Sequence, residues 1–320
     1  MDNVVEALLI EIGGTNIRAK LQGKDLKSEM VIAKTNSFKS LWQVINRFKN
    51  LFRLPNSLSS EINIKVAAAG CLHNGRFLSD DIKWLNRSHE ELADETQKLG
   101  FRLLFIMNDM IATSNGWLAR EVARVGCSEV SCPIGIVGIG TGFGVSSIHR
   151  ISETQFLILS SELGFLPVSP SKTTRIRDVV SGRAINAASV LTKSSINEQT
   201  CIDGSITTVD DYWQERNTDP DFLDHFRWSV LAPILSQNLQ KIVIVGGAAS
   251  ILRSQGIISP EDLKQNFSNR NIGSIQPMIN DVDVSFDSSE DLALFGMTES
   301  IGRVSQDFLA TKNHSLVVGY

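Results

Sequence analysis

Three glycine-rich turns and one acidic strand end are the parts of this sequence with chemistry to offer. Gly13, Gly14, Thr15 and Asn16 follow an apolar run at 7–12. Gly140, Thr141, Gly142 and Gly144 follow a second at 134–137, and Gly246 and Gly247 follow a third at 241–245. Glycine tolerates positive φ and lets the backbone come close to a ligand. Exposed N–H groups in such turns form concave nests that suit phosphate. Any one of these turns is as well explained as a tight hairpin, so the combination carries the weight. Asp109 closes the run 105–108, where a carboxylate can accept the proton of an attacking hydroxyl. Its competing structural use is as the N-cap of the next helix. Neither a P-loop GxxxxGK[ST] nor a Rossmann GxGxxG occurs, which disfavours those nucleotide-binding modes.

The elements that must position these residues are set by hydrophobic period. Residues 7–12 and 17–21 read as two strands of a hairpin around the first glycine turn. A helix is expected from Ser40, with Leu41, Val44, Ile45, Phe48, Leu51 and Phe52 on one face. Residues 66–70 read as a buried strand end. Residues 102–107 read as a strand that runs into Asn108 and Asp109, and then into a helix carrying Ile111, Trp117, Leu118 and Val122. A second strand, glycine turn and strand occupy 134–148, repeating the opening. Further strands are expected at 156–159, 241–245 and around Val282, Val284 and Phe286, with helices near 225–239 and 290–312. Strands alternating with helices indicate an α/β fold, and two similar openings in one chain suggest two related domains.

Composition bounds the function. The 320 residues suffice for two domains of ordinary size. Apolar residues at 42% and charged residues at 21% fit a folded globular chain rather than a disordered one. A net charge of −4 without a Lys/Arg run leaves no footprint for nucleic acid. No run approaches the ~20 apolar residues that span a bilayer, and no signal-peptide pattern opens the chain, so a cytoplasmic location is expected. Cys71, Cys127, Cys132 and Cys201 form no CxxC pair and read as free, mostly buried thiols.

Taken in order, the motifs resemble those of the actin/hexokinase/sugar-kinase superfamily, and most closely bacterial glucokinases outside its zinc-bearing branch. Residues 11–16 resemble the first phosphate motif, 138–144 the second and 243–247 the adenosine motif. Asn108-Asp109, Ser161-Glu162-Leu163-Gly164 and Val179-Val180-Ser181-Gly182 resemble glucokinase segments. The resemblance implies two ribonuclease H-like (actin-like ATPase) α/β lobes with a ligand cleft between them. The smaller lobe would hold 1 to about 109 with a last helix at about 303–320, and the larger about 110–302. It implies phosphorylation of D-glucose by ATP with Mg²⁺, Asp109 as catalytic base, and Asn108, Glu162 and Asp81 on sugar hydroxyls. Glu11 would be the carboxylate near the metal, its structural alternative being a strand-end acid facing solvent. The family is often dimeric, but no interface signature is visible.

Three positions depart from that pattern. Glu11 stands where the family has Asp, Phe165 where it has a sugar-touching His, and Arg177 where it has Glu. Phenylalanine cannot hydrogen-bond a hydroxyl. These departures keep two further readings open: a kinase for another hexose or an amino sugar, and a catalytically impaired protein that binds sugar or nucleotide.

Overall fold

The apolar run VEALLIEI forms strand β1 (Val5–Ile12), whose residues 7–10 are buried on both faces, as befits a strand inside a sheet. The structure, a computed structural model, describes residues 5–23, 28–54, 62–101, 104–166, 175–181, 226–227, 229–230, 233, 237–254, 258–261, 263–264, 281–299 and 315–320. By contact density the chain divides into two units: Met1–Val130 with Arg150–Ser160 and Asp291–Tyr320, and Ser131–His149 with Ser161–Glu290. The border expected at residue 109 falls within the first unit, between the strand and the helix that carry Asn108 and Asp109.

In the first unit, β2 (Asn16–Gly23), β3 (Val31–Lys34), β4 (Asn63–Ala68) and β7 (Leu104–Asn108) join β1 in the order β3-β2-β1-β4-β7. The β1–β2 and β2–β3 pairs are antiparallel, and β1–β4 and β4–β7 are parallel. This is the expected ribonuclease H-like arrangement. Helix α1 (Leu41–Leu51) starts where expected, its Ser40 cap accepting from the Gln43 N–H. Its Val44, Ile45 and Phe48 join Leu8, Ile10 and Ile64 in one core. A small hairpin of β5 (Cys71–His73) and β6 (Arg76–Leu78) comes after β4, and α2 (His89–Lys98) opens with a Ser88/Glu91 capping box.

Helix α3 (Asp109–Val125) packs against α6 (Leu292–Glu299). They meet at glycines: a Cβ on Gly116 would stand 2.0 Å from the Leu292 carbonyl oxygen, and one on Gly296 1.9 Å from that of Ala112. The buried Asn115 donates to the Gly296 carbonyl at 2.7 Å and accepts from the Tyr320 hydroxyl at 3.2 Å. Tyr320 ends β13 (Ser315–Gly319), which pairs antiparallel with β10 (Gln155–Ser161). The helix expected to run to the C-terminus is therefore corrected. Alternating burial of Leu316 and Val318 in that pairing makes the segment a strand; residues 300–314 lie outside the described residues.

In the second unit, β8 (Ile134–Ile139), β9 (Phe143–Arg150), β11 (Lys241–Val245) and β12 (Asp283–Asp287) run in the order β12-β11-β8-β9. The β8–β9 pair is antiparallel, β11–β8 and β11–β12 parallel. The senses match β7-β4-β1-β2 of the first unit, so the repeated opening read from sequence is a repeated half-sheet. Short helix α4 (Ile176–Val179) and α5 (Gly247–Ser254) flank it, and Phe143, Ile176, Val180, Ile244 and Ala249 share its core. Of the helix expected near 225–239, Phe226 and Val230 are helical and buried, while Leu231, Ile234 and Leu235, like Gly182 and Cys201, lie outside the described residues. Cys71, Cys127 and Cys132 are partly exposed rather than buried as expected. Among the described residues no helix is long and apolar enough to cross a membrane.

Candidate active site

The parallel pairing of β1, β4 and β7 places Ile12 beside Ala68 and Ala68 beside Asn108. Three strands thus end at one level, at the C-terminal edge where open α/β sheets bind ligands. Hydrogen bonds join the segments that leave these strand ends. The Ala69 N–H donates to the Ile12 carbonyl at 3.1 Å, and Asn108 Nδ2 donates to the Gly70 carbonyl at 2.6 Å. Ser79 Oγ donates to the Ala69 carbonyl at 2.6 Å while accepting from the Ile82 N–H at 3.1 Å. Gly70 sits at φ +150°, and a Cβ there would stand 2.4 Å from the Leu78 carbonyl oxygen, so only glycine lets the two segments close. The loop with Asp80 and the half-buried Asp81 is thereby held at the same edge as Asn108 and Asp109. Asp80 pairs with Lys83 at 3.6 Å.

The cap of α3 is Asn108. Its Oδ1 accepts from the Met110 and Ile111 N–H groups at 2.9 and 3.1 Å, and it is 5% exposed. Asp109 occupies the first helical position, its Oδ1 also receiving the Met110 N–H at 2.9 Å. Most of Asn108's polar capacity is spent inside the protein, leaving one Nδ2 hydrogen to offer a ligand.

The first glycine turn is braced from β3. Gly13 N–H donates to the Asn16 carbonyl at 3.0 Å, Thr35 N–H to the Thr15 carbonyl at 3.0 Å, and Thr35 Oγ1 to the Gly13 carbonyl at 2.7 Å. Lys34 Nζ donates to Asn16 Oδ1 at 2.9 Å, which sets an exposed cation beside a turn suited to anions. Sequence reading overlooked Lys34 and Thr35, because β3 is too short to show a period. Glu11 lies opposite Arg18 in the β1–β2 register, and Oε1 accepts from Nη1 at 3.1 Å with the carboxylate 16% exposed. It is not a strand-end acid facing solvent. Its other carboxylate oxygen, Oε2, is buried and is not the one that meets Arg18, and no group of three or more His, Cys, Asp and Glu that could hold a metal occurs among the described residues.

The second unit gathers the other two glycine turns. Val245 pairs with Gly138, so Gly140 and Gly246 leave neighbouring strand ends. Gly246, at φ +105°, lies where a Cβ would stand 2.4 Å from the Ile139 carbonyl oxygen. Among the described residues nothing lies within 4 Å of a Cβ built on Gly140 or on Gly247, the first residue of α5. Gly140 N–H closes the second turn on the Gly142 carbonyl at 3.0 Å, with Thr141 at its centre and Gly144 two residues beyond. The open faces fit a phosphate chain, and helix amides without in-helix acceptors at Gly247 add donors. Beside them a cavity of about 300 Å³ is lined by Ser250, Arg253, Phe286 and Asp287, with the Arg253 guanidinium 5.8 Å from the Phe286 ring centre. It escaped sequence reading because α5 and β12 become neighbours only through the β11–β12 pairing.

Glu162 heads a tight turn, its carbonyl accepting from the Phe165 N–H at 3.0 Å. Gly164 is locked against the second glycine turn, since a Cβ there would stand 2.5 Å from the Phe143 carbonyl oxygen. The Leu166 carbonyl accepts from the Ile176 N–H at 2.9 Å, which brings α4 alongside. Phe165, 38% exposed, then lies under two cations, with Arg177 4.8 Å and Arg175 5.4 Å from its ring centre. Asp178 takes Arg175 Nε and Nη2 at 2.9 and 3.1 Å, and these bonds hold its carboxyl below the usual range, with Arg177 adding to the effect.

The glucokinase family model matches residues 8–181, more than half the chain. The chain belongs to the glucokinase family. Within it, the glucokinase of Pseudomonas paraeruginosa is 29% identical over 177 residues, covering 52% of this chain and 49% of that protein; the chain spans about half the length of the relatives it matches. The solved glucokinase of Balamuthia mandrillaris in complex with glucose superposes with a TM-score of 0.63 at 15% identity, covering 91% of each chain. A ROK family glucokinase from Streptomyces griseus in complex with glucose and AMPPNP gives 0.58 at 18% identity, covering 91% of this chain and 97% of that one. Fold similarity thus extends past the matched segment.

Proposed function

We propose that this glucokinase-family protein transfers the γ-phosphoryl group of ATP to a hexose hydroxyl. The observation that carries the reading is the division of labour between two strand edges. One presents a carboxylate on the first turn of a helix beside a buried asparagine; the other presents glycine turns with open faces. Phosphoryl transfer asks mainly for positioning and charge neutralisation. The nucleotide's phosphates are assigned to Gly140, Thr141, Gly142, Gly144, Gly246 and Gly247, with Gly13, Gly14, Thr15 and Asn16 serving the transferring group. The cavity by Arg253 and Phe286 is assigned to the nucleoside. Asp109 accepts the hydroxyl proton as oxygen attacks phosphorus, the bond to the β-phosphate oxygen breaks, and ADP leaves. Asn108 and Asp81 orient hydroxyls in the first unit and Glu162 in the second. Magnesium would travel with ATP, held by phosphates and water.

D-glucose, the substrate in the family's name, is the first sugar to test. A hexose other than glucose is the second reading, favoured by Phe165 and Arg177 standing together where hydroxyl-binding groups are expected. A protonated amino sugar is disfavoured there, since like charges repel. The test is ADP release by the purified full chain with Mg-ATP and a panel of hexoses against a sugar-free control. Sugar-dependent ADP supports the reading. No ADP with any sugar, while ATP still raises the melting temperature, would replace it with a non-catalytic binding protein.

A further inference from the structure

The cavity beside α5 is bordered by two opposite charges that do not neutralise each other. Arg253 and Asp287 line it together with Ile244, Ser250 and Phe286, and among the described residues neither of the two forms an ion pair. Each is held by backbone instead. Arg253 Nη1 donates to the Phe286 carbonyl at 3.4 Å, its guanidinium carbon 5.8 Å from the Phe286 ring centre. Asp287 Oδ1 accepts from the Ser289 N–H at 2.8 Å, which orients the carboxylate and leaves most of its acceptor capacity for a ligand. A fork of donors and a pair of acceptors thus border one space of about 300 Å³, at the small end of the range for ligand pockets.

Its place along the helix suits the base of a nucleotide whose phosphates lie at the glycine turns. Arg253 stands six residues beyond Gly247, about 9 Å along the axis of α5. Ser250, whose hydroxyl donates to the Gly246 carbonyl at 3.1 Å, lies between them. Asp287 ends β12 beside Val245 in the parallel register, so the carboxylate and Gly246 leave neighbouring strand ends. All of these residues belong to the second unit.

We propose that this cavity selects guanine over adenine, so that a guanosine phosphate binds more tightly than the matching adenosine phosphate. The inference rests on the reading that seats a nucleoside there, and it names the base; ATP remains the weaker donor. Guanine shows two acceptors, O6 and N7, that take a guanidinium through two parallel hydrogen bonds, the pairing by which arginine reads guanine in DNA. Its N1–H and N2 amino group point two donors at an acceptor-only carboxylate. Adenine turns a lone pair at N1 and a C–H at C2 toward that carboxylate, and its N6 amino group meets the guanidinium as donor against donor. Polar groups left unmatched in a binding site cost affinity, which is how such a site rejects the wrong ligand.

The full chain is titrated calorimetrically, with magnesium present, with GDP, IDP and ADP. GDP is expected to bind at least about tenfold more tightly than ADP, the discrimination of one good bidentate pair. IDP keeps O6, N7 and N1–H but lacks the N2 amino group, and should fall between the two. Asp287→Asn should lose most of the advantage of GDP with its urea midpoint at the wild-type value, which separates lost recognition from misfolding. ADP binding as tightly as GDP overturns the inference and leaves the nucleotide assignment in place. IDP matching GDP also overturns it, because the carboxylate then makes no use of the amino group. Failure of all three to bind overturns both the inference and the nucleotide site on which it rests.

Discussion

Asn108 shows how far one residue's role can be read in advance. Its place at a strand end before a helix was legible, and so was the need for a cap; which of two adjacent residues would cap was not. Asparagine takes the cap because its amide can also reach the Gly70 carbonyl, a contact that an acceptor-only carboxylate at that position could not make. Removing that side chain should therefore cost more than an ordinary cap. Asn108→Ala is expected to destabilise the protein by about 1–3 kcal/mol, from the lost cap and an unsatisfied buried carbonyl. Asn108→Ser should restore part of it, as read by urea denaturation. The residues that departed from the family pattern were legible one at a time; that Phe165 and Arg177 touch was not, because α4 reaches the turn through a backbone bond that no sequence period reports. The Glu11–Arg18 pair was hidden for a similar reason: Arg18 stands opposite Glu11 only once the hairpin register is set.

Among elements, the long strands were the readable ones. β1, β8 and β11 are continuous apolar runs, and α1 and α3 carry a clear helical stripe, so type and position came from period alone. β3, β5, β6 and α4 span only three or four residues each, too few to show a period, and β13 was mistaken for helix because its burial depends on β10. The glycines separate by what they touch. Gly296 lies where α3 and α6 meet, with the Ala112 carbonyl oxygen 1.9 Å from a built Cβ. Gly296→Ala should force the helices apart and cost roughly 1–3 kcal/mol, seen as a lower urea midpoint. Gly140 faces open space, so Gly140→Ala should leave that midpoint nearly unchanged. It should nevertheless weaken ATP binding by calorimetry, because the added methyl occupies the face assigned to phosphate. Equal nucleotide affinity in the two proteins would remove Gly140 from the site.

For the molecule as a whole, stability should carry the mark of one buried cation. Lys65 on β4 is 7% exposed and donates to Gln22 Oε1 at 2.8 Å and to the Met297 carbonyl, near the end of α6, at 3.2 Å. Burial lowers its pKa from 10.5 to about 8, with the charge of Glu6 opposing the shift. Between those values the unfolded chain binds a proton that the folded chain has released, so stability from this group rises with pH from about 8 to 10.5 and is lost as pH falls through 8. Comparing urea midpoints at both ends of that window, Lys65→Met should flatten the rise relative to wild type. The doubled half-sheet was readable from the repeated strand, glycine turn and strand. The assignment of α3 and α6 to the first unit was not, since it depends on a glycine-to-glycine crossing between segments about 180 residues apart.

The most direct test of the central claim is the steady-state rate of sugar-dependent ADP release by Asp109→Asn against wild type, with the best hexose from the panel and with ATP binding measured in parallel. Loss of the general base should lower kcat by ~10²- to 10⁴-fold, while the melting-temperature rise with ATP stays at the wild-type value. Sugar-dependent turnover within a few-fold of wild type would contradict the assignment of Asp109 as the base, and with it the chemistry assigned to the first unit's strand edge.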